Sequence, residues 1–530
     1  MKLAKFFVLP FYLLLQATPS LALANEEAKA SYSRSIDIDA KVVTEHTTTI
    51  KGNDIEYTAT VGTQPVWNND GDAIATLHYT YYKRSDIKDH ANHTYSNGSD
   101  TKDHTANRPL LISFNGGPGS ASVWMHVAYT GPKVLNVNDE GYPLQPYGVK
   151  TNDYSVLDVA DIVFVNPVNT GYSRMLKNKK GDYLSKEEQT KTFFGVNADI
   201  KYLAEWLNTF VSRNERWRSP KFLIGESYGT TRVSGLALEL QARQWMYVNG
   251  VILVSPTDIG LKRDGAIKSA NRLPYFSAAA WHHRMLDKNL QNKDLEQLLP
   301  EVEQFTLNEY LPALALGGFI SQDKKQAIAE KVSAYAGISV EAVIQNNLDI
   351  SNNFFWKELL RDKGQTIGRL DSRYLGIDEK DTGSSPDYNA ELTSWLHSFT
   401  PAINDYMRTE LNYKTDIKYN MFGDVHPWDR TNNHTGENLR LAMAQNPYLN
   451  VVIQSGYYDG ATNYFDAKYT LWQLDPSGKM KDRLSFKGYR SGHMMYLRSE
   501  DLKKANEDLR QFIKTSLPAK GKAAKYEINN

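Results

Sequence analysis

Residues 225–229, which read Gly-Glu-Ser-Tyr-Gly, carry the strongest chemical signal in the chain, and they directly follow the apolar run 222–224. A serine in the pattern Gly-x-Ser-x-Gly, between a buried strand and a helix, lies on a strained turn that exposes its hydroxyl. Glycines suit such a turn because neighbouring atoms leave no room for a Cβ. The pattern also arises by chance in long chains, so Ser227 is a candidate nucleophile that needs partners elsewhere.

Two later segments offer those partners. A serine hydroxyl needs a base to accept its proton and a further group to orient that base. Asp459 lies in residues 456–460, Gly-Tyr-Tyr-Asp-Gly, and His493 lies in residues 488–494, each after a short apolar segment. Taken singly, the aspartate could be a turn former and the histidine a packing residue. The order Ser, Asp, His is that of α/β-hydrolases, so we predict a catalytic triad.

An acyl-transfer site also needs hydrogen-bond donors that stabilise the negative charge developing on the carbonyl oxygen of the substrate. Residues 115–119, Asn-Gly-Gly-Pro-Gly, follow a short apolar strand and form a turn that lets backbone N–H groups face an anion. We expect the N–H groups of Gly117 and Tyr228 to form the oxyanion hole, since the residue after the nucleophile donates in this architecture. Residues 115–119 could instead be a glycine turn with a purely structural role. They do not match a phosphate-binding loop, because no Lys-Ser/Thr pair follows them.

These segments together resemble the serine carboxypeptidase family, in a bacterial-type member. The segments that carry the resemblance occur in the family's order and are residues 115–120, 167–173, 225–229, 456–459 and 492–494. The resemblance covers about 105–260 and about 448–515, and the region between them carries none of it.

The resemblance implies an enzyme that releases single residues from the free C-terminus of a peptide, with no metal and no other cofactor. It implies that Asn115, Gly116 and Glu226 bind the terminal carboxylate of the substrate. It also implies that Met494 lines the pocket for the leaving residue. Glu226 must then be protonated, because its carboxylate would repel that of the substrate, and burial or a second acid raises the pKa of a carboxyl group.

Tyr129 is the main departure from the family pattern. Family members carry a second Glu shortly before a Gly-Pro pair, whereas residues 129–132 here read Tyr-Thr-Gly-Pro. A tyrosine hydroxyl can donate a hydrogen bond to Glu226 or to the substrate, so Tyr129 is a candidate substrate-binding residue. Tyr129 cannot share a proton with Glu226 as a second acid would. The resemblance therefore does not predict whether this chain is most active at acidic pH, as family members are.

The composition excludes several kinds of site. The chain has 530 residues, a formal net charge of zero and no cysteine. Disulfides, thiolate zinc sites and a cysteine nucleophile are therefore impossible. The balanced charge gives no signal for nucleic acid, so peptides with a free C-terminus are the expected partners, and the oligomeric state is not indicated.

Residues 1–24 are organised as a signal peptide. Lys2 and Lys5 precede an apolar run over 6–15, and residues 22–24 read Ala-Leu-Ala, a small-residue cleavage site. We expect export to the periplasm or the medium, and no membrane attachment after cleavage, because the run is too short to span a bilayer. An uncleaved signal anchor is the alternative.

Strand and helix patterns alternate through most of the chain, which predicts a mostly parallel sheet and an α/β-hydrolase fold. After a polar start to about residue 50, we expect one helix over 186–213 and another from about 228 to 241. The predicted parts are a first core segment at 25–255, a mainly helical insertion or cap at 256–447, and a second core segment at 448–530. The insertion has no readable motif.

The sequence therefore predicts a serine carboxypeptidase that forms an acyl-enzyme on Ser227. An esterase or acyltransferase with the same triad is the first alternative, and it would not require a free carboxylate on its substrate. A binding protein that has lost activity is the second alternative, and the presence of all three triad residues argues against it.

Overall fold

A ten-stranded sheet is the central element of the computed structural model, which describes residues 34–86, 107–261, 264–519, 523 and 525–526. The strands, including four in two small separate ribbons, are β1 Lys41–Ile50, β2 Asn53–Trp67, β3 Ala73–Arg84, β4 Leu110–Phe114, β5 Lys133–Leu135, β6 Val149–Thr151, β7 Asp161–Val165, β8 Arg174–Met175, β9 Lys221–Glu226, β10 Gly250–Val254, β11 Thr366–Ile367, β12 Leu375–Gly376, β13 Asn450–Gly456 and β14 Leu484–Tyr489.

Helices cover the sheet and fill the insertion. They are α1 Val123–His126, α2 Lys186–Thr192, α3 Val196–Arg213, α4 Tyr228–Arg243, α5 Ala266–Ala270, α6 Leu273–His282, α7 Lys288–Gln291, α8 Leu295–Phe305, α9 Leu311–Leu316, α10 Gln322–Ala336, α11 Val340–Gln345, α12 Asn352–Glu358, α13 Ala390–Thr409, α14 Thr435–Gln445, α15 Tyr464–Leu474 and α16 Ser499–Thr515. None of the helices in the described residues is both long and apolar enough to cross a membrane.

The sheet is mostly parallel, as the alternating patterns predict. Its strand order is β1-β2-β3-β7-β4-β9-β10-β13-β14, with β8 paired to β3. The six strands from β7 to β14 run parallel to one another, and β1, β2 and β3 add an antiparallel edge. Strands β4, β7, β9 and β10 are buried at every residue, because helices cover both faces of a parallel sheet.

The parallel direction of the strands brings the predicted site residues to one edge of the sheet. Strands β4, β9, β13 and β14 end at Phe114, Glu226, Gly456 and Tyr489 respectively. The glycine turn, the nucleophile elbow and the loops of the aspartate and histidine each follow one of these ends. Since the carboxyl ends of parallel strands lie at the same edge, segments far apart in sequence meet there.

One expectation about an individual element is wrong. The helix expected over 186–213 is divided into α2 and α3, because the backbone at Phe194 and Val196 pairs with Asp429 across Gly195. A Cβ on Gly195 would lie 2.9 Å from the Asp429 Cβ, so a side chain there would obstruct this pairing. The polar stretch before residue 50, for which no element was predicted, forms β1, in which buried residues occur only near the end of the strand.

In the described part of the region between β10 and β13 lie the helices α5 to α14 and a small ribbon formed by β11 and β12. Tyr275, Phe276, Phe355 and Trp356 are buried together in a hydrophobic core of this region. Residues 36–530 nevertheless form one compact unit. The predicted signal peptide at 1–24 lies outside the described residues.

Arg232 on α4 supports the glycine turn from inside the protein. Its Nε donates to Asp199 Oδ2 at 2.7 Å, and the two side chains are 0% and 1% exposed. One terminal nitrogen of the guanidinium donates to the carbonyl of Asn115 at 2.7 Å, and the other donates to that of Pro118 at 3.3 Å. This buried ion pair therefore ties α3 and α4 to the turn that carries Gly117.

We predict that Arg232→Met lowers the free energy of unfolding by about 3–5 kcal/mol, because it leaves the Asp199 carboxylate buried without its counter-charge. Urea denaturation followed by circular dichroism measures the change. Lys191→Ala is the matched control, since Lys191 pairs with Glu187 on the protein surface, and we expect no measurable shift of its midpoint. A wild-type midpoint for Arg232→Met would contradict the supporting role.

Candidate active site

Ser227 lies on a strained turn between β9 and α4. Its backbone has φ 58° and ψ −127°, a conformation that residues other than glycine rarely adopt. A Cβ on Gly225 would lie 2.2 Å from the carbonyl oxygen of Gly229, and a Cβ on Gly229 would lie 2.6 Å from that of Phe114. The glycines on both sides of the serine are therefore required by close contacts with the backbone.

His493 and Asp459 form a hydrogen-bonded pair at the same edge of the sheet. His493 Nδ1 lies 2.7 Å from Asp459 Oδ2. The N–H groups of Ala461 and Thr462 donate to Asp459 Oδ1 at 2.9 and 3.0 Å, and the Thr462 hydroxyl donates to Oδ2 at 2.6 Å. These donors fix the position of the buried carboxylate, and the carboxylate in turn orients the imidazole.

The pKa of His493 lies above its ordinary value. Burial lowers this pKa, but the negative charge of Asp459 and its hydrogen bond to the ring raise it by more, and Glu226 adds to the increase. A histidine in this environment can accept a proton and then remain as an imidazolium ion beside the aspartate.

A cavity of about 230 Å³ opens beside Ser227 and His493. Its lining residues are Gly116, Gly117, Ser120, Trp124, Glu226, Ser227, Arg369, Leu370, Leu392, Trp395, Phe422, His493 and Met494. The candidate nucleophile and base thus face the same space as Gly116, Glu226 and Met494, which the sequence assigns to substrate binding.

The glycine turn lies directly against the elbow. A Cβ on Gly116 would lie 2.5 Å from the backbone nitrogen of Tyr228 and 2.9 Å from the Ser227 Cβ. The N–H groups of Gly117 and Tyr228 have no hydrogen-bond acceptor within the described part of the chain. Both are therefore available to a negatively charged oxygen held above Ser227.

Glu226 is buried next to the nucleophile. Its Oε1 accepts a hydrogen bond from Asn115 Nδ2 at 2.9 Å, and its Oε2 accepts one from the Tyr496 hydroxyl. Burial raises the pKa of Glu226 to about 7, against the opposing effects of His493 and of these two hydrogen bonds. Its carboxyl group is thus mostly neutral in mildly acidic solution.

The expected contact of Tyr129 with Glu226 or the substrate is wrong. Tyr129 is fully buried, does not line the cavity, and donates from its hydroxyl to Gln454 Oε1 at 2.6 Å. Gln454 lies inside strand β13, where its amide needs a partner away from water. The ring of Tyr129 stacks on that of Tyr496 with centroids 4.7 Å apart.

Tyr496 therefore makes the contact that the sequence assigned to Tyr129. It follows His493 by three residues, which was the one signal that could have indicated it. Thr462 was missed as well, although it follows Asp459 by the same spacing. Neither residue belongs to a motif with a chemical reason of its own.

Asn115 lies beneath the cavity and is not part of its lining. Both polar atoms of its side chain have partners in the protein, since Oδ1 accepts from the N–H of Met125 at 3.2 Å while Nδ2 donates to Glu226. In this structure Asn115 therefore holds Glu226 in place. The insertion adds Arg369, Leu370, Leu392, Trp395 and Phe422 to the lining, and no sequence motif identified them.

A serine on a strand-to-helix elbow, with a His-Asp pair at the carboxyl edge of a parallel sheet, defines the α/β-hydrolase class. A family model described as serine carboxypeptidase matches residues 72–499. The chain belongs to the serine carboxypeptidase family, and it is a serine-type carboxypeptidase, a hydrolase.

Two solved structures illustrate what the chain is similar to. Kex1(Δ)p, a prohormone-processing carboxypeptidase from Saccharomyces cerevisiae, is similar with a TM-score of 0.51 and 14% identity, over 86% of this chain and 91% of that one. A soluble variant of monoglyceride lipase from Saccharomyces cerevisiae has a TM-score of 0.34 and 10% identity, over 86% of this chain and 94% of that one. No curated protein sequence matches the chain. The likeness to Kex1(Δ)p shows a shared α/β-hydrolase fold.

We predict that a serine-directed fluorophosphonate labels Ser227, and that the labelling rate rises with pH through the elevated pKa of His493. Only the neutral imidazole can accept the serine proton. Asp459→Asn should slow labelling roughly 10³- to 10⁴-fold, because the imidazole loses its orienting carboxylate. Intact-mass spectrometry over time measures the rate.

Asp482→Asn is the matched control for this experiment, since Asp482 is an exposed carboxylate in the second core segment. Its labelling rate should equal that of the wild type. Undiminished labelling of Asp459→Asn, or label on a residue other than Ser227, would show that the triad assignment is wrong.

Proposed function

We propose that this protein removes the C-terminal residue of peptides by forming an acyl-enzyme on Ser227. The observation that carries the proposal is the position of Glu226, a buried acid with a pKa of about 7, in the same cavity as Ser227 and His493. A simple esterase site has no need of an acid at this place. A carboxypeptidase needs a neutral donor there for the terminal carboxylate of its substrate.

In the proposed acylation step, His493 accepts the hydroxyl proton of Ser227 while Oγ attacks the carbonyl carbon of the last peptide bond. The carbonyl oxygen becomes negatively charged and accepts hydrogen bonds from the N–H groups of Gly117 and Tyr228. His493, held by Asp459, then donates its proton to the departing amine. The C–N bond breaks and the free amino acid leaves.

In deacylation, a water molecule takes the place of the departing amine. His493 accepts a proton from this water, and the resulting hydroxide attacks the ester carbonyl of the acyl-enzyme. The same two N–H groups stabilise the second negatively charged oxygen. When the C–O bond breaks, His493 returns its proton to Ser227, so the enzyme ends in its starting state.

Glu226 would recognise the substrate through its protonation state. In the neutral form its carboxyl group can donate a hydrogen bond to the terminal carboxylate, and in the ionised form it repels that carboxylate. Asn115 and Tyr496 each donate a hydrogen bond to one of the two carboxyl oxygens of Glu226. These bonds would keep the carboxyl group at a fixed place beside the scissile bond.

An esterase or acyltransferase with the same triad is the second candidate function. One observation favours it: both carboxyl oxygens of Glu226 already accept hydrogen bonds from the protein, so its capacity to bind a substrate carboxylate is reduced. Dependence of the rate on a free substrate carboxylate separates the two candidates.

We predict that an N-blocked dipeptide with a free C-terminus is cleaved roughly 10- to 100-fold faster than its C-terminal amide, the factor expected for a hydrogen bond to a charged group. Ser227→Ala should lower the rate roughly 10⁶-fold, and release of the amino acid measures it. Equal cleavage of acid and amide, or cleavage of simple esters alone, would favour the esterase.

We also predict a bell-shaped pH dependence of kcat/KM for free-acid substrates. The acid limb reflects protonation of His493, and the alkaline limb reflects ionisation of Glu226 near its pKa of about 7. Glu226→Gln keeps a neutral donor of the same shape at every pH, so the alkaline limb should disappear.

A C-terminal amide substrate provides the control in the wild-type enzyme, because it has no carboxylate for ionised Glu226 to repel. Its profile should therefore show the acid limb alone. Persistence of the alkaline limb in Glu226→Gln would mean that another group produces it, and that Glu226 does not bind the substrate carboxylate.

A further inference from the structure

Arg369 is a cation in the wall of the active-site cavity. Its residue is exposed, and its guanidinium makes no hydrogen bond or ion pair within the described ranges 34–86, 107–261 and 264–519. The other titratable groups of the lining are Glu226 and His493. Arg369 is therefore the one permanent charge that the lining presents to a substrate.

The backbone of Arg369 is held by the catalytic loops themselves. The N–H of Gly460, next to Asp459, donates to the carbonyl of Arg369 at 3.0 Å. The N–H of His493 donates to the carbonyl of Leu370 at 2.7 Å. The backbone of the insertion at Arg369 is thus held beside the loops of Asp459 and His493, which is the support that a residue selecting substrates requires.

Glu391 is an acid within electrostatic range of Arg369, since burial raises the pKa of Glu391 and the charge of Arg369 opposes that rise. Glu391 Oε1 accepts from the N–H of Leu370 at 2.8 Å, and its Oε2 is buried without a hydrogen-bond partner in the described part of the chain. A Cβ on Gly368 would lie 2.5 Å from this Oε2, so the carboxylate is packed against the backbone at Gly368. Within the described residues Glu391 forms no ion pair with Arg369, so the guanidinium can still pair with a substrate anion.

The rest of the wall strengthens the interaction of Arg369 with an anion. Trp124, Leu392, Trp395 and Phe422 provide apolar surface, which excludes water from a bound side chain. A guanidinium binds a carboxylate through two parallel hydrogen bonds, and this pairing is stronger than one between neutral groups. The cavity is thus suited to a residue that has an apolar stem and carries a carboxylate.

We propose that Arg369 is a specificity-determining residue whose guanidinium binds a carboxylate of the departing C-terminal residue. This inference rests on the proposed carboxypeptidase function. The carboxylate can come from an acidic side chain of that residue, or it can be the terminal carboxylate itself, which Arg369 would then bind together with Glu226. Both sources use the same chemistry and differ in the substrates that reveal them.

The test compares kcat/KM for N-blocked dipeptides that end in Glu, Gln or Leu and share one penultimate residue, each also as a C-terminal amide. The variants are Arg369→Gln and Arg369→Glu. Arg284→Gln is the matched control, since Arg284 is an exposed arginine of the same insertion that does not line the cavity. Equal fluorophosphonate labelling of all variants shows that the triad is intact.

A side-chain contact predicts that Arg369→Gln lowers kcat/KM for the substrate ending in Glu roughly 10- to 100-fold, and changes the Gln and Leu substrates less than about threefold. Arg369→Glu should then favour a substrate that ends in Lys. A contact with the terminal carboxylate predicts that Arg369→Gln lowers kcat/KM equally for all three free acids and leaves kcat/KM for their amides unchanged. Either pattern supports the proposal.

The proposal is overturned if Arg369→Gln cleaves all three free acids within about twofold of the wild-type rate. This failure differs from failure of the proposed function, which would appear as equal cleavage of acids and amides by the wild type. In that second case, a loss confined to substrates ending in Glu would still establish the contact of Arg369 with an acidic side chain.

Discussion

The close approach of backbone to backbone at the carboxyl edge of the sheet is the constraint on which the site depends. Positions 116, 225 and 229 lie so near other backbone atoms that a Cβ at any of them would be 2.2 to 2.6 Å from a neighbour. This contact forces Ser227 into its unusual conformation and brings the N–H of Tyr228 beside the glycine turn. The ion pair of Arg232 with Asp199 supports the turn from behind, so the glycine turn and the elbow of Ser227 are held against each other.

The two acidic groups near Ser227 have different surroundings. Asp459 receives four hydrogen bonds, from His493, Ala461 and Thr462, which fix the position of its carboxyl group beside the imidazole. Glu226 receives two, and its burial raises its pKa to about 7. Similar side chains thus acquire different properties from the groups packed around them.

The insertion and the sheet contribute different parts of the site. The sheet edge supplies Ser227, Asp459 and His493, and the insertion supplies much of the cavity wall. Hydrogen bonds from Gly460 and His493 to residues 369 and 370 join the two parts. The position of the insertion is therefore coupled to that of the Asp459 and His493 loops.

Short sequence patterns were enough to predict the sheet, the nucleophile elbow and the Ser, Asp and His candidates. Each of these depends on residues close together in the chain, where turn geometry and strand periodicity limit what a segment can do. The division of the helix at Gly195 could not be seen this way, because its cause is a pairing with Asp429. No element was predicted for strand β1, because its buried residues occur only near its end and give no apolar pattern.

The sequence by itself determined which residues can act as nucleophile, base and orienting acid, since those roles require particular chemical groups on particular local turns. Only the tertiary structure decided that Tyr496 and not Tyr129 contacts Glu226, because that contact joins residues 270 positions apart. It also decided that Asn115 supports Glu226 from below the cavity, and that Arg369 lines the cavity. These choices depend on how distant segments pack, and packing is a property of the whole fold that no local pattern records.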